Sequence, residues 1–453
     1  MVDWVQDAVF YQIFPDRFCN GDVGNDPPGT RPWGEVPTRE STFGGDLLGI
    51  AEKLDYLESL GVTALYLTPI FKAPTNHKYD TEDYFQVDPA FGGNEALREL
   101  VTALHARGMR IVLDGVFNHC GERHPFFQDV LKKGRASPYW NWFTIWGDRV
   151  VREPEPNYAC WAGVPTMPEW NHRNPKVREY LLSVVRHWIR ECGIDGWRLD
   201  TVEYLPPDFV RGVYRVAKEE RPDAYVLGEV MGMAASWFKH GALDGVMNYR
   251  LRDGIVAFFA RGEWPAETFA HHLYAIRRSY PPDSNFTMYN LLGSHDVPRF
   301  LTLCGGDRRR LLLAAAFLFS YIGAPAIYYG DEVGLTGGED PDCRRCFPWE
   351  EARWDRALLE TFRRLARIRL VSPALRRGSF KLVAARDRLL SFLRVGEGEE
   401  VLVTLNAGDR AERISLPSPG LWQDLITEEG FRGGPVPLEP FGFRILRRAA
   451  GTA

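Results

Sequence analysis

No run of eighteen apolar residues occurs in this 453-residue chain, so nothing in it reads as a membrane-spanning helix. Nor is there a polybasic stretch, and the net charge is -5 at pH 7. Nucleic acid and anionic membrane are therefore excluded as expected partners. The segment from Met1 to Phe10 lacks a charged start followed by an apolar stretch. No secretory leader is visible there, and a cytoplasmic protein is the expectation. Cysteines are few and odd in number, at Cys19, Cys120, Cys160, Cys192, Cys304, Cys343 and Cys346. One Cys-x-x-Cys joins Cys343 to Cys346, with no second pair at zinc-finger spacing. Reduced structural thiols are expected over a redox or zinc centre. Internal repeats and low-complexity segments are also missing.

What is present is an alternation. Short β-type runs at Ala8–Phe14, Ala64–Thr68, Arg110–Asp114, Gly196–Asp200, Tyr225–Gly228, Asp244–Asn248, Met288–Leu292 and Ala326–Tyr329 are separated by longer helical stretches. Near-continuous apolar strands between helices indicate a parallel sheet covered on its outer face. The stretch Asn94–Arg107 ends at Gly108, a C-terminal stop. Asn174-Pro175 opens another helix, with Asn as N-cap and Pro at the first helical position. Eight such repeats predict an α/β fold, a (β/α)8 TIM barrel, over residues 1–119 and 172–375. The connection over 120–171 is too long for a loop and reads as a small domain inserted after the third strand. Beyond it, residues 376–453 read as a C-terminal all-β sandwich domain.

Four of the eight strands end in acid. The third runs into Asp114-Gly-Val-Phe-Asn-His119, the fourth ends at Arg198-Leu-Asp200, the fifth at Gly228-Glu229, and the seventh continues to Ser294-His-Asp296. A single Asp at a strand end is often only a turn or helix cap. Four at one end of a barrel point to a catalytic face. Arg198 and Asp200 stand two apart on a strand and share a side. The guanidinium is expected to lower the Asp200 pKa, as a nucleophile requires. Glu229 lies on the neighbouring strand, roughly 4.8 Å away, close to the ~5–5.5 Å separation of retaining glycosidase carboxyls. Negative charge from Asp200 and Asp296 is expected to raise Glu229, keeping it protonated as a general acid. His119 and His295 can donate to sugar hydroxyls or be satisfied core donors; the residues leave both open.

This ordered set resembles the four conserved motifs of the α-amylase family, glycoside hydrolase family 13, over essentially the whole chain. Met167-Pro-Glu-Trp-Asn171 and Tyr328-Tyr-Gly-Asp-Glu332 are similar to the neopullulanase, cyclomaltodextrinase and maltogenic amylase group. The resemblance implies Asp200 as nucleophile, Glu229 as acid/base and Asp296 as transition-state stabiliser. It implies that Arg198, His119 and His295 line the first donor subsite, that Tyr79 stacks on its sugar, and that Asp340 and Arg344 grip the next sugar. The implied substrates are maltooligosaccharides, cyclodextrins, pullulan or starch, with maltose-sized products; glycosyl transfer on the same barrel is the runner-up. Two departures stand out. Met231-Gly232 replaces the group's Trp-His after the acid/base, which puts acceptor preference in doubt. The barrel also starts within ten residues, where the group usually carries an N-terminal β-sandwich, so a monomer or a dimer of another type is expected. Lastly, Asn20, Asp22, Asn25 and Asp26, with Gly44 and Asp46, offer oxygens at a density that suits Ca2+ or an Asx-rich turn. The pattern resembles the group's calcium loop.

Overall fold

The computed structural model describes residues 2–239 and 241–449. Eight parallel strands close into a barrel: β1 (Phe10–Ile13), β2 (Ala64–Leu67), β3 (Arg110–Gly115), β4 (Gly196–Leu199), β5 (Tyr225–Val230), β6 (Gly245–Asn248), β7 (Tyr289–Leu291) and β8 (Ala324–Tyr328). Neighbours in space are neighbours in sequence, and β8 closes on β1 through the pair Phe10 and Ala326. The first strand is shorter than its apolar run, because a short helix, Asp3–Asp7, takes up the chain just before Ala8. The last starts two residues earlier than expected.

Both faces of each strand are apolar for different reasons. Phe10, Ala64, Tyr66, Val112, Tyr225, Leu227, Met247 and Tyr289 point inward and fill the barrel. Tyr11, Ile13, Leu65, Leu67, Ile111, Leu113, Trp197 and Leu199 point outward under the helices. This period of two decides what happens at the strand ends. Asp114 follows Val112 by two, Asp200 follows Arg198, and Glu229 follows Leu227. The parity that packs the interior therefore turns these side chains toward the barrel mouth.

The covering helices begin and stop on local signals. In α1 (Gly93–Ala106), Leu97, Leu100, Val101 and Leu104 are buried, and Gly108 takes a φ of 69° just past its end. In α2 (Pro175–Glu191), the Asn174 side chain caps the Lys176 N–H at 3.0 Å. The insert after β3 holds one α-helix, α3 (Pro125–Lys133), and isolated bridges such as His119 with Glu169 and Phe143 with Trp170. Packed rings, among them Phe126 on Tyr139 at 4.1 Å, hold it in place of a sheet.

Past α4 (Pro373–Arg377) the chain is all β. Strands β9 (Ser379–Arg386), β10 (Leu389–Gly396), β11 (Glu399–Asn406), β12 (Glu412–Ser415), β13 (Trp422–Asp424), β14 (Gly430–Phe431), β15 (Pro435–Leu438) and β16 (Phe443–Ala449) form two sheets. The larger runs β9-β10-β11-β16-β13-β14, and β12 pairs with β15. Leu389, Leu402, Ile414, Trp422, Val436 and Leu446 fill the space between them. Two fully buried guanidinia lie at the seam with the barrel. Arg369 donates to the carbonyls of Gln6, Phe319, Gly323 and Leu375. Arg394 donates to those of Ser320, Gly378 and Ser379. Neither has a carboxylate partner among the described residues.

Candidate active site

A cleft of about 400 Å3 opens at the C-terminal ends of the strands. At its floor lies Arg198, with no exposed side-chain surface. Its Nη1 donates to Asp114 Oδ2 at 2.9 Å and Asp200 Oδ1 at 2.7 Å, and its Nη2 reaches Glu229 Oε1 at 2.8 Å. The pairing of Leu199 with Gly228 sets Asp200 level with Glu229 on the next strand. Thr201 then turns the chain at φ 42°, and its N–H donates to Glu229 Oε2 at 2.8 Å. One guanidinium and one backbone amide thus fix both carboxyls. Tyr66 closes the floor by donating to Asp114 at 2.6 Å.

The protonation balance differs from the sequence expectation. Burial pushes the Asp200 carboxyl well above its ordinary range, and the Arg198 pull downward does not offset it. Glu229 is also raised, mainly by burial and further by the charge of Asp296, against the pull of Arg198. Burial raises Asp114 to about 6. Burial is the leading cause for all three, and the single guanidinium of Arg198, shared by Asp114, Asp200 and Glu229, does not offset it.

The remaining residues build one wall. Asp296 is the most open of the three acids, with 31% of its side chain exposed. His295 is buried and its pKa is driven well below the ordinary value by burial and by Arg344 and Arg198. It is therefore neutral, with Gln12 at 2.7 Å from Nδ1, Tyr79 Oη at 2.5 Å from Nε2 and Asp296 at 3.3 Å. Tyr79 stacks on the His295 ring at 5.7 Å and lines the cleft with its other side. Burial lowers His119 to about 3; its Nε2 has no protein partner, and Trp161 lies 5.7 Å away. Arg344 meets Asp340 at 3.1 Å and Asp296 at 3.6 Å, while its Nε donates to the His295 carbonyl. The nine residues expected in catalysis and substrate binding thus converge on one cleft. Arg39, His77, Trp161 and Thr201 also line it and were not singled out as site residues. Trp161 and Arg39 arrive on an insert and a long loop, whose path no periodicity encodes.

On the far rim, the loop after β5 is held to the turn after β4 by the Met231 N–H on Glu203 Oε2, at 2.9 Å. Tyr204, Met231 and Met233 stand exposed there. The Cys-x-x-Cys is buried, with Cys343 Sγ on the His295 carbonyl; all seven thiols are free.

A model of the alpha-amylase catalytic domain matches residues 12–367. The chain belongs to the α-amylase family. It is a glycoside hydrolase of that family, with curated relatives and solved structures of similar sequence. A cyclomaltodextrinase of Geobacillus thermopakistaniensis (strain MAS1) is 47% identical over 97% of this chain and 77% of its own. Neopullulanase 2 of Thermoactinomyces vulgaris is 44% identical over 95% of this chain and 75% of its own. The ligand-free structure of a cyclic alpha-maltosyl-(1-->6)-maltose hydrolase from Arthrobacter globiformis superposes with a TM-score of 0.93 at 43% identity, covering 99% of both chains. Among the described residues no helix is long and apolar enough to cross a membrane.

The calcium loop expected from the α-amylase-family resemblance brings its residues together. Asp46 Oδ1 accepts from Gly21 N and Gly49 N, and Oδ2 from Asp22 N and Asn25 Nδ2. These four bonds tie the loop to a helix start. Other oxygens in the loop stay open. Asn20 Oδ1 and Asn25 Oδ1 are buried without partners. Asp26 Oδ1 sits where a Cβ on Gly44 would be, 2.2 Å away, so only glycine lets it approach. Among the described residues no group of three or more His, Cys, Asp or Glu side chains is placed to hold a metal ion without other donors. The loop offers mixed amide and carboxylate oxygen, a donor set for a hard cation.

Proposed function

We propose that this chain hydrolyses α-1,4 bonds of malto-oligosaccharides and cyclodextrins, and α-1,6 bonds in the same cleft, with retention of configuration. The observation that carries the reading is the shared guanidinium, Arg198, which aligns Asp200 and Glu229 across adjacent strands. The step needs the proton on Glu229 and Asp200 ionised, the form that Arg198 favours: Asp200 then attacks the anomeric carbon while Glu229 gives its proton to the departing glycosidic oxygen. The resulting glycosyl ester is opened by water, whose proton returns to Glu229. Asp296 faces the developing positive charge on the sugar ring. His295 stays neutral, so it donates a hydrogen bond without adding a cation beside an oxocarbenium-like state. Proton NMR of the first-formed product tests this. The α-anomer is expected first; the β-anomer first would remove Asp200 from the nucleophile's role.

Asp340 and Arg344 give the donor side a second grip, which supports maltose-sized products. The names of the relatives, a cyclomaltodextrinase, a neopullulanase and a cyclic maltosyl-maltose hydrolase, support the substrate class. We also infer that Asn20, Asp22, Asn25, Asp26, the Gly44 backbone and Asp46 hold one Ca2+, which steadies the loop and does no chemistry. Binding only to the folded state raises stability by mass action. Chelation is expected to lower the melting midpoint, and added calcium to restore it. A midpoint indifferent to both would refute the site.

A further inference from the structure

The insert carries a second concavity, of about 520 Å3, that shares no lining residue with the catalytic cleft. Trp146 stands at its edge with 60% of its surface exposed, the most exposed of the fourteen tryptophans. Its ring has no aromatic or cationic neighbour and its indole N–H no acceptor among the described residues. An exposed indole of this size is costly to leave in water. Yet its backbone is pinned on both sides: its N–H donates to the Asn157 carbonyl at 2.8 Å, and its carbonyl accepts from Asn157 Nδ2 at 2.5 Å. The chain thus spends hydrogen bonds on holding this ring out. Across the concavity, Trp140 is backed on one face by Arg135 at 5.8 Å. Arg135 in turn pins the following turn through the Gly147 carbonyl and Asp148. Between the two indoles lie Asn141, Thr144 and Arg173, whose side chains make no hydrogen bond or ion pair within the protein.

A sugar chain presents apolar C–H faces ringed by hydroxyls. An exposed indole on a pinned backbone, with free amide, hydroxyl and guanidinium groups beside it, matches both parts of that surface. The same insert supplies Trp161 and Met167 to the cleft. We propose that this concavity is a second, non-catalytic site for an α-glucan segment, with Trp146 as the stacking platform and Arg173 as the principal hydroxyl donor. It tethers a long polysaccharide beside the cleft and is irrelevant to short substrates that fill the cleft alone. This inference rests on the α-glucan reading above.

The test compares Trp146→Ala and Arg173→Ala with the parent protein in two ways. In the non-hydrolysing Asp200→Asn background, migration is followed in native gels with and without amylopectin. In the active enzyme, kcat/KM is measured on amylopectin and on maltotriose. Both variants are expected to lose most of the amylopectin retardation, and at least threefold in kcat/KM on amylopectin. Maltotriose rates should stay within experimental error. Unchanged retardation with intact maltotriose hydrolysis would overturn the second site and leave the enzyme reading standing. Equal losses on both substrates would also overturn it, since that marks a distorted insert. No hydrolysis of maltotriose by the parent protein, together with no retardation, would overturn both readings.

Discussion

Strand β4 carries a buried acid–base cluster at each end, and the two are built oppositely. Below it, Asp195 is one buried carboxylate among three side-chain donors: His105 at 2.8 Å, Arg110 at 2.7 Å and Arg221. The Ile111 N–H adds a fourth donor at 3.0 Å. Burial works against the charge, but these partners outweigh it and hold Asp195 below the ordinary carboxylate range. Above it, Arg198 is one guanidinium among three carboxyls, and burial wins. An excess of donors around an acid makes a silent structural knot. An excess of acids around a donor leaves a proton in play, which is what acid/base chemistry uses. The four-residue strand between them separates the two roles.

The largest expected effect breaks the upper cluster. Asp200→Asn should lose activity by more than about ten-thousandfold while the fold survives, because an amide is a poor nucleophile. A folded variant with a tenth of the parent rate would remove Asp200 from the nucleophile's role. Asp195→Asn is the mirror experiment. Removing the one anion from a buried cluster costs about 3–5 kcal/mol. The melting temperature should fall by several degrees, while kcat on maltotriose at low temperature stays near the parent value. A selective loss of kcat with no loss of stability would erase the contrast between the ends.

A third acid sharpens the comparison because it has donors but no cation. Glu332 accepts from Tyr11 at 2.8 Å and Tyr56 at 2.7 Å, and burial raises it from 4.5 to about 7. Folding therefore favours its protonated form. Its contribution to stability is full below about pH 4.5 and is lost as pH rises through about 7. Relative to Glu332→Gln, the parent should weaken between pH 5 and 8, by at most about 3 kcal/mol. Parallel melting curves for the two proteins across that range would refute this. The smallest effect concerns Arg344, whose charge-assisted bonds are worth roughly 1.5–3 kcal/mol each. Arg344→Ala should reduce kcat/KM on maltotriose by about ten- to a hundredfold. An aryl glucoside filling one donor subsite should be nearly unaffected. Equal losses on both would place Arg344 in support of Asp296.

Period-two patterning made the barrel legible, and with it the acids at the mouth, since parity in the core and direction at the rim are one property. The helix start at Asn174 was legible from the cap alone. Less could be read where tertiary packing decides. The low pKa expected for Asp200 weighed its neighbour and not its burial, which only the closed barrel sets. The bonds that Asp46 accepts from two stretches of chain, the loop over 21–25 and Gly49, were not legible because only the fold brings them together. Short C-terminal strands such as Glu412–Ser415 and Gly430–Phe431 offer too few residues for an alternation to show. The exposure of Trp146 follows from the fold of an insert with no regular sheet.

The two seam arginines carry a consequence for how the molecule comes apart. Arg369 and Arg394 are held by seven carbonyl oxygens drawn from the barrel, its last helices and the β domain. Pulling the domains apart would strip Arg394 of its barrel partner, the Ser320 carbonyl, and open the buried Arg369 beside it, with water as the only replacement partner. The junction therefore has no cheap intermediate opening. It behaves as a weld and not as a hinge, so barrel and β domain should melt in a single calorimetric transition.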